Sequence, residues 1–296
     1  MTHLRQMLLD EIQRRNYAQS TAEAYVRALR DLAQFYRIPP DRLGPEQIKP
    51  YQLHLLRERG LSPQSVKQRM AAVRFFYIRV LKRPYPPNDF PYPKTHRRLP
   101  IILSLEEVRC MIDASNNLFH RSMIMTLYST GMRRAELVRL KVEDIDSRRM
   151  IIHIRQGKGC KDRDVPLSPK LLETLREYWR WRKPQIYLFP SRHPVRKGLH
   201  ISTKAVYNIC RVTACRAGIQ KAIHPHTLRH SFATHMVEAG ADLVTIQMLL
   251  GHADIKHTLI YLHLSERHIR TIPNPLDGLR VSDASSVSRL WRRNEK

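Results

Sequence analysis

His226-Thr-Leu-Arg229, then Leu249-Leu-Gly-His252, then Tyr261 nine residues after that histidine, form the stretch on which the reading of this chain turns. Histidine, arginine, histidine and tyrosine in this order suit the attack of a tyrosine hydroxyl on a phosphodiester without a metal. His226 falls at or just before a helix start, and Arg229 follows near the same edge. Helix N-termini attract phosphate, so the pair reads as an anion site. Read alone, His226 is a helix cap and Arg229 the partner of a structural ion pair. Gly251 is a helix stop, which leaves His252 on a turn, and Tyr261 comes on the next helix. A phenol with a pKa near 10 needs nearby cations to become a nucleophile. Tyr261 by itself reads as a core tyrosine on an amphipathic helix; the ordered set favours chemistry.

Two further segments supply partners. In Thr130-Gly-Met-Arg133-Arg-Ala-Glu136, Gly131 ends one helix and Arg133 opens another, with Glu136 one turn on to hold the guanidinium. Arginines in pairs donate to non-bridging phosphate oxygens and offset the charge of a pentacoordinate phosphorane. Taken alone, Arg133 and Glu136 form an ordinary helical ion pair. Met150-Ile-Ile-His-Ile154 and Arg163-Asp-Val-Pro-Leu167 read as strands joined by a basic tip carrying Lys158 and Lys161. A lysine there can protonate a leaving 5′ oxygen. It can equally be a solvated surface lysine, and composition does not choose between Lys158, Lys161 and Arg163. The rival use of His224, His226, His230 and His235 is zinc, but neither HExxH spacing nor a carboxylate pair accompanies them, so no zinc site is expected. A two-metal nuclease needs clustered acids, which this chain lacks.

Composition agrees with a polyanionic partner. The 296 residues carry 52 Lys and Arg against 26 acids, a formal charge of +26. That imbalance, spread over the whole chain, points to nucleic acid, with a ribosomal-type RNA binder or a membrane-surface protein as other readings. Cys110, Cys160, Cys210 and Cys215 lack zinc spacing and read as reduced thiols. With neither a signal-peptide pattern nor a membrane span, a cytoplasmic protein, nucleoid-associated if bacterial, is expected.

The length favours two domains. Residues 1–83 read as a helical bundle. Its first helix carries Leu4, Met7, Leu8 and Ile12, and its second is opened by a capping box, Ser20-Thr-Ala-Glu23. The third starts at Pro45, and the fourth starts with Ser62 as N-cap and Pro63 at N1. Lys67, Arg69 and Arg74 give that last helix a basic face. Residues 84–100 are proline-rich and read as an extended linker, with Arg97 and Arg98 adding charge. Residues 101–275 form a second, mainly helical domain with the β-hairpin, opened by the capping box Ser104-Leu-Glu-Glu107. Helices are expected over 118–128, from Arg133 to Leu140, and over 169–183, 202–217, 227–239, 242–250 and 255–264. The tail, 276–296, is Arg-rich and offers Val287, Leu290 and Trp291 as anchors, either as a disordered segment or docked on a neighbour.

Together, Thr130-Gly-Met-Arg-Arg-Ala-Glu-Leu137, Gly157-Lys-Gly-Cys-Lys161, His226-Thr-Leu-Arg-His-Ser-Phe-Ala-Thr-His235, Leu249-Leu-Gly-His252 and Tyr261 resemble the tyrosine recombinase (phage integrase) family, most closely its Xer-type members. The resemblance implies a mainly α fold with a small β-hairpin or sheet, a SAM-like core-binding bundle and an α+β catalytic domain. It implies site-specific cleavage and rejoining of double-stranded DNA by Tyr261 through a 3′-phosphotyrosyl intermediate. Arg133, Arg229 and His252 would then bind the scissile phosphate, His226 would be general base or hydrogen-bond partner, Lys158 general acid, and Glu136 the support of Arg133. It implies that no metal and no nucleotide cofactor is needed, since the ester keeps the energy of the cleaved bond. It also implies a homotetramer, or dimers pairing into one, exchanging strands through a Holliday junction, with no membrane partner. DNA contacts are expected from Lys67, Arg69, Arg74, Arg97, Arg98, Lys161 and Arg163. The expected role is integrase or transposon-type recombinase of a mobile element. The alternatives are an Xer-type chromosome dimer resolvase, a type IB topoisomerase-like enzyme and a non-catalytic DNA-binding regulator.

Overall fold

A computed structural model describes residues 2–95, 99–155, 162–191, 193–196 and 198–264. The chain separates into two compact units, Met1–Arg98 and Leu99–Lys296.

The first unit is a four-helix bundle: α1 (Thr2–Arg14), α2 (Gln19–Tyr36), α3 (Pro45–Arg57) and α4 (Pro63–Phe75), the last extended by a π-helical turn over Phe76–Val80. Leu8, Leu32, Ile48, Leu55, Val66 and Met70 fill its centre. The fourth helix starts as its sequence indicates, with Ser62 Oγ accepting from Ser65 N at 3.3 Å and Pro63 at N1. The second does not. Its N-cap is Ala18, and the first amides, of Thr21 and Ala22, bond to the Ala18 carbonyl, so Ser20 lies inside the first turn. The proline-rich stretch also differs from an extended spacer. Phe90 is buried and stacks on Tyr77, ring centroids 5.5 Å apart, and Tyr85 packs beside them. Burying a phenyl ring is worth about 2 kcal/mol, enough to hold this part of the segment on the bundle.

The second unit places α5 (Leu105–Asp113), α6 (Leu118–Thr130) and α7 (Arg134–Arg139) before a three-stranded antiparallel sheet, β1 (Ile145–Asp146), β2 (Ile151–Ile154) and β3 (Arg163–Pro166), in the order β1-β2-β3. β1 was not expected; two residues are too short to show a period. In the β2–β3 register Ile152 faces Val165 and Ile154 faces Arg163. There follow α8 (Pro169–Arg182), α9 (Thr203–Arg216), α10 (Pro225–Glu238), α11 (Leu243–Leu250) and α12 (Ile260–Leu264). The Ser104–Glu107 box forms in both directions, at 3.1 and 2.8 Å, and opens α5. The helix expected over 255–264 is broken. Asp254 accepts from Lys256 N at 2.9 Å to set a 3-10 turn over Ile255–His257, and α12 begins only afterwards. α6 runs through the core, where Met123, Ile124 and Leu127 are buried, and α10 packs on α6, α11 and α12. Among the described residues, no helix is long and apolar enough to cross a membrane.

Candidate active site

The site is organised by the end of α11. Asp242 caps its start, accepting from Thr245 N at 2.8 Å, and Gly251 ends it with φ of +63°. A helix end leaves its last carbonyls without intrahelical partners, and its partial negative charge favours cations. Here three arginines supply both needs. Arg163 Nε donates to Leu249 O at 2.7 Å, Arg229 Nη2 to Leu250 O at 2.7 Å and Arg133 Nη2 to Gly251 O at 2.9 Å. They come from β3, from α10 and from the residue that precedes α7, so three distant stretches are aligned on consecutive carbonyls.

Two additional contacts fix the arginines. Arg229 Nη1 donates to Gly131 O at 2.8 Å, and Gly131 takes φ of +59°, where a Cβ would also run into the Phe232 ring. Glu136 sits between the other two. Its Oε1 accepts from Arg133 Nη1 at 2.8 Å and from Arg163 Nη1 at 3.0 Å, and its Oε2 from Arg163 Nη2 and Arg133 N, both at 2.7 Å. Burial alone would raise this carboxyl, but the hydrogen bonds and charge of Arg163 and the hydrogen bonds from Arg133 hold it down to about 2. Arg229, only 3% exposed, is lowered by burial and by Arg133 to about 10, still a cation at neutral pH.

Imidazoles and the phenol line the other side. Tyr261 is 1% exposed, packed with Ala233, Ile246 and Leu250, and its Oη lies 3.0 Å from His230 Nδ1. The His252 ring stacks on Tyr261 at 6.4 Å and 13°, and its Nδ1 lies 2.9 Å from Thr258 Oγ1. His226 lies at the second position of α10, its ring 6.4 Å from that of His230. Desolvation and the charges of Arg229 and Arg133 push His252 down to about 3; desolvation followed by Arg229 likewise lowers His226. Both are therefore neutral imidazoles near pH 7. The phenol differs from the sequence expectation. Arg229 and Arg133 do pull the Tyr261 pKa down, but burial outweighs them and the net shift is upward.

Arg133, Glu136, Arg229, His252 and Tyr261 are therefore brought together, with His226 reached through His230. Lys158 and Lys161 lie outside the described residues, as do Arg97, Arg98 and the tail 276–296. Arg163 was expected on the DNA; instead its side chain is 9% exposed and spends three donors on Glu136 and Leu249. Arg69 is likewise drawn inward, paired with Asp31 on α2. In the same bundle Lys67 and Arg74 stand over the Tyr92 ring, at 5.9 and 5.6 Å. His230 was missed as a site residue. Its signal was its position four residues after His226, which puts both on one helix face. Among the described residues no group of three His, Cys, Asp or Glu is placed to hold a metal ion.

Residues 102–268 match the phage integrase family, and residues 4–87 match the phage integrase N-terminal SAM-like domain. The chain belongs to the phage integrase family. The y4qK protein of Sinorhizobium fredii (strain NBRC 101917 / NGR234), designated an integrase/recombinase, is 41% identical over 94% of this chain and 90% of its own length. Tyrosine recombinase XerD of Staphylococcus saprophyticus (strain ATCC 15305) is 34% identical over 79% of this chain and 82% of its own. The crystal structure of XerA recombinase superposes with a TM-score of 0.54 at 30% identity, over 91% of this chain and 96% of that one. The recombinase is thus a tyrosine-type, site-specific DNA recombinase with Xer-like relatives, mainly helical with a small sheet.

Proposed function

We propose that Tyr261 is the nucleophile and that Arg133, Arg229 and His252 hold the scissile phosphate. The supporting observation is the convergence of Arg229 and Arg133 on the adjacent carbonyls of Leu250 and Gly251, with His252 stacked on Tyr261. Each guanidinium keeps further N–H groups for non-bridging oxygens after its described bonds, those of Arg229 to the Gly131 and Leu250 carbonyls and those of Arg133 to Gly251 O and Glu136. The Tyr261 oxygen gives up its proton to a base and bonds to phosphorus, the 5′ oxygen leaves, and a 3′-phosphotyrosyl ester conserves the bond for rejoining. Lys158 is the proposed donor of the proton to the 5′ oxygen, and His226 the base or hydrogen-bond partner. Glu136 acts through Arg133.

The proposed biological role is integration or transposition of a mobile element by a homotetramer on two DNA sites in the cytoplasm, with a Holliday junction between the two strand exchanges. The designation of the 41% identical relative supports it. The 34% identity to a XerD protein favours the second reading, resolution of chromosome dimers. A pool of randomised duplexes tests the chemistry: wild-type protein should become covalently joined to 3′ ends, and Tyr261→Phe should not. Sequencing the joined ends gives the site and its spacing. An adduct that persists in Tyr261→Phe refutes the assignment.

A further inference from the structure

Among the described residues, several tyrosine hydroxyls end on main-chain carbonyls. Tyr178 donates to Leu188 O at 2.8 Å and Tyr36 to Gln47 O at 2.6 Å. Tyr261 instead meets a side chain, His230 Nδ1 at 3.0 Å, with ring centroids 5.8 Å apart. His230 follows Arg229 directly on α10, stands one turn after His226, and faces α12, which carries Tyr261. One residue thereby links the phenol to the helix that supplies the phosphate-gripping arginine. We propose that His230 is the positioning residue of the nucleophile: the phenol donates to Nδ1, which fixes the O–H direction and leaves the oxygen lone pairs clear for phosphorus. The inference rests on the assignment of Tyr261 as nucleophile.

The state of the imidazole agrees. Burial, then the charges of His226 and Arg229, lower it to about 4, so at neutral pH Nδ1 can accept a proton rather than only donate one. A phenol free to rotate about its C–O bond loses much of its reactive population, and small misplacements of a nucleophile cost about 100-fold in rate. The protein also holds a matched control. Tyr128 Oη lies 2.9 Å from His235 Nδ1 on the same α10, in a pair that makes none of the described contacts to the three arginines.

The test uses the full chain and the duplex selected by its own 3′ adducts, made with either a normal scissile phosphate or a 5′-bridging phosphorothiolate. The sulfur leaves without needing a proton. His230→Leu should cleave about 100-fold more slowly in single turnover with DNA affinity within about twofold, and the phosphorothiolate should not restore it. A Lys158→Ala defect, being a leaving-group defect, should be restored. His230→Asn, whose amide lies near the Nδ1 position, should recover to within about tenfold of wild type. His235→Leu should lower the melting temperature comparably and leave cleavage unchanged. Where leucine unfolds the chain, Asn against His230→Gln gives the same comparison, since only Asn places a polar atom near Nδ1. The proposal is overturned if His230→Leu cleaves like wild type, if Leu and Asn lose equally, or if the phosphorothiolate rescues Leu. An adduct surviving Tyr261→Phe would instead overturn the nucleophile assignment.

Discussion

Arg163 holds Glu136 with both arms of its guanidinium, Nη1 to Oε1 at 3.0 Å and Nη2 to Oε2 at 2.7 Å, while the same carboxylate holds Arg133. The arginine at the start of β3 is thereby a brace for Arg133, the arginine proposed to hold the scissile phosphate. Arg163→Gln should reduce covalent-adduct formation by about 100-fold while the slope of log affinity against log salt stays unchanged, since no phosphate contact is lost. Lys67→Ala, if Lys67 contacts phosphate, should lower that slope by about one unit. A reduced slope in Arg163→Gln would return Arg163 to the DNA surface.

The buried carboxylate sets an acid limit on stability. The Glu136 pKa falls from an ordinary 4.5 to about 2 in the folded chain. A depressed folded pKa contributes stability above the unfolded value, lost as pH falls through the folded one. The contribution is about 3 kcal/mol at neutral pH, and it should disappear between roughly pH 4.5 and 2. Chemical denaturation of wild type and Glu136→Gln across that window checks it: the gap between the two curves should close as the pH falls. A constant gap would mean the carboxylate is not ionised in the fold.

Gly131 is required twice. Its φ of +59° strains any L side chain, and a Cβ would run into Phe232 and press on Leu250. Gly131→Ala should cost roughly 2 kcal/mol or more in stability and displace the carbonyl that accepts from Arg229. Thermal melting and adduct formation should both fall. An Ala variant with wild-type melting would show that Phe232 yields without cost.

Removing Arg133 separates chemistry from binding. Its guanidinium is half-buried and makes two described bonds at the site, whereas the +26 charge is spread over the whole chain. Arg133→Ala should abolish cleavage and leave duplex affinity within about threefold, since the rest of the positive charge remains to attract the duplex. Parallel gel-shift and adduct assays decide it. Loss of both in step would contradict the assigned role.

Much of this architecture was readable in advance because local rules set it. Ser62-Pro63 and the Ser104–Glu107 box mark helix starts, and Gly131 and Gly251 mark stops; the arginine, histidine and tyrosine motifs lie where those elements end. What stayed hidden depended on long-range packing. Whether Arg163 faces a phosphate or Glu136 is decided by residues 27 positions apart. Arg69 and Asp31, 38 apart, pose the same problem, as basic composition does not reveal which cations are already paired. Ser20-Thr-Ala-Glu23 had the pattern of a cap, but the backbone began its turn at Ala18 and left that serine unused. Phe90 sat among prolines and gave no periodic signal of its burial.

Leu249, Leu250 and Gly251 present their oxygens in a row, each accepting from a different arginine. A gauge made of three neighbouring atoms is indifferent to how much polypeptide separates the groups it aligns. Lengthening the connection between α8 and α9, for instance, should leave the spacing of the guanidinium groups intact, whereas inserting a single residue into α11 before Leu249 would throw all of them out of step.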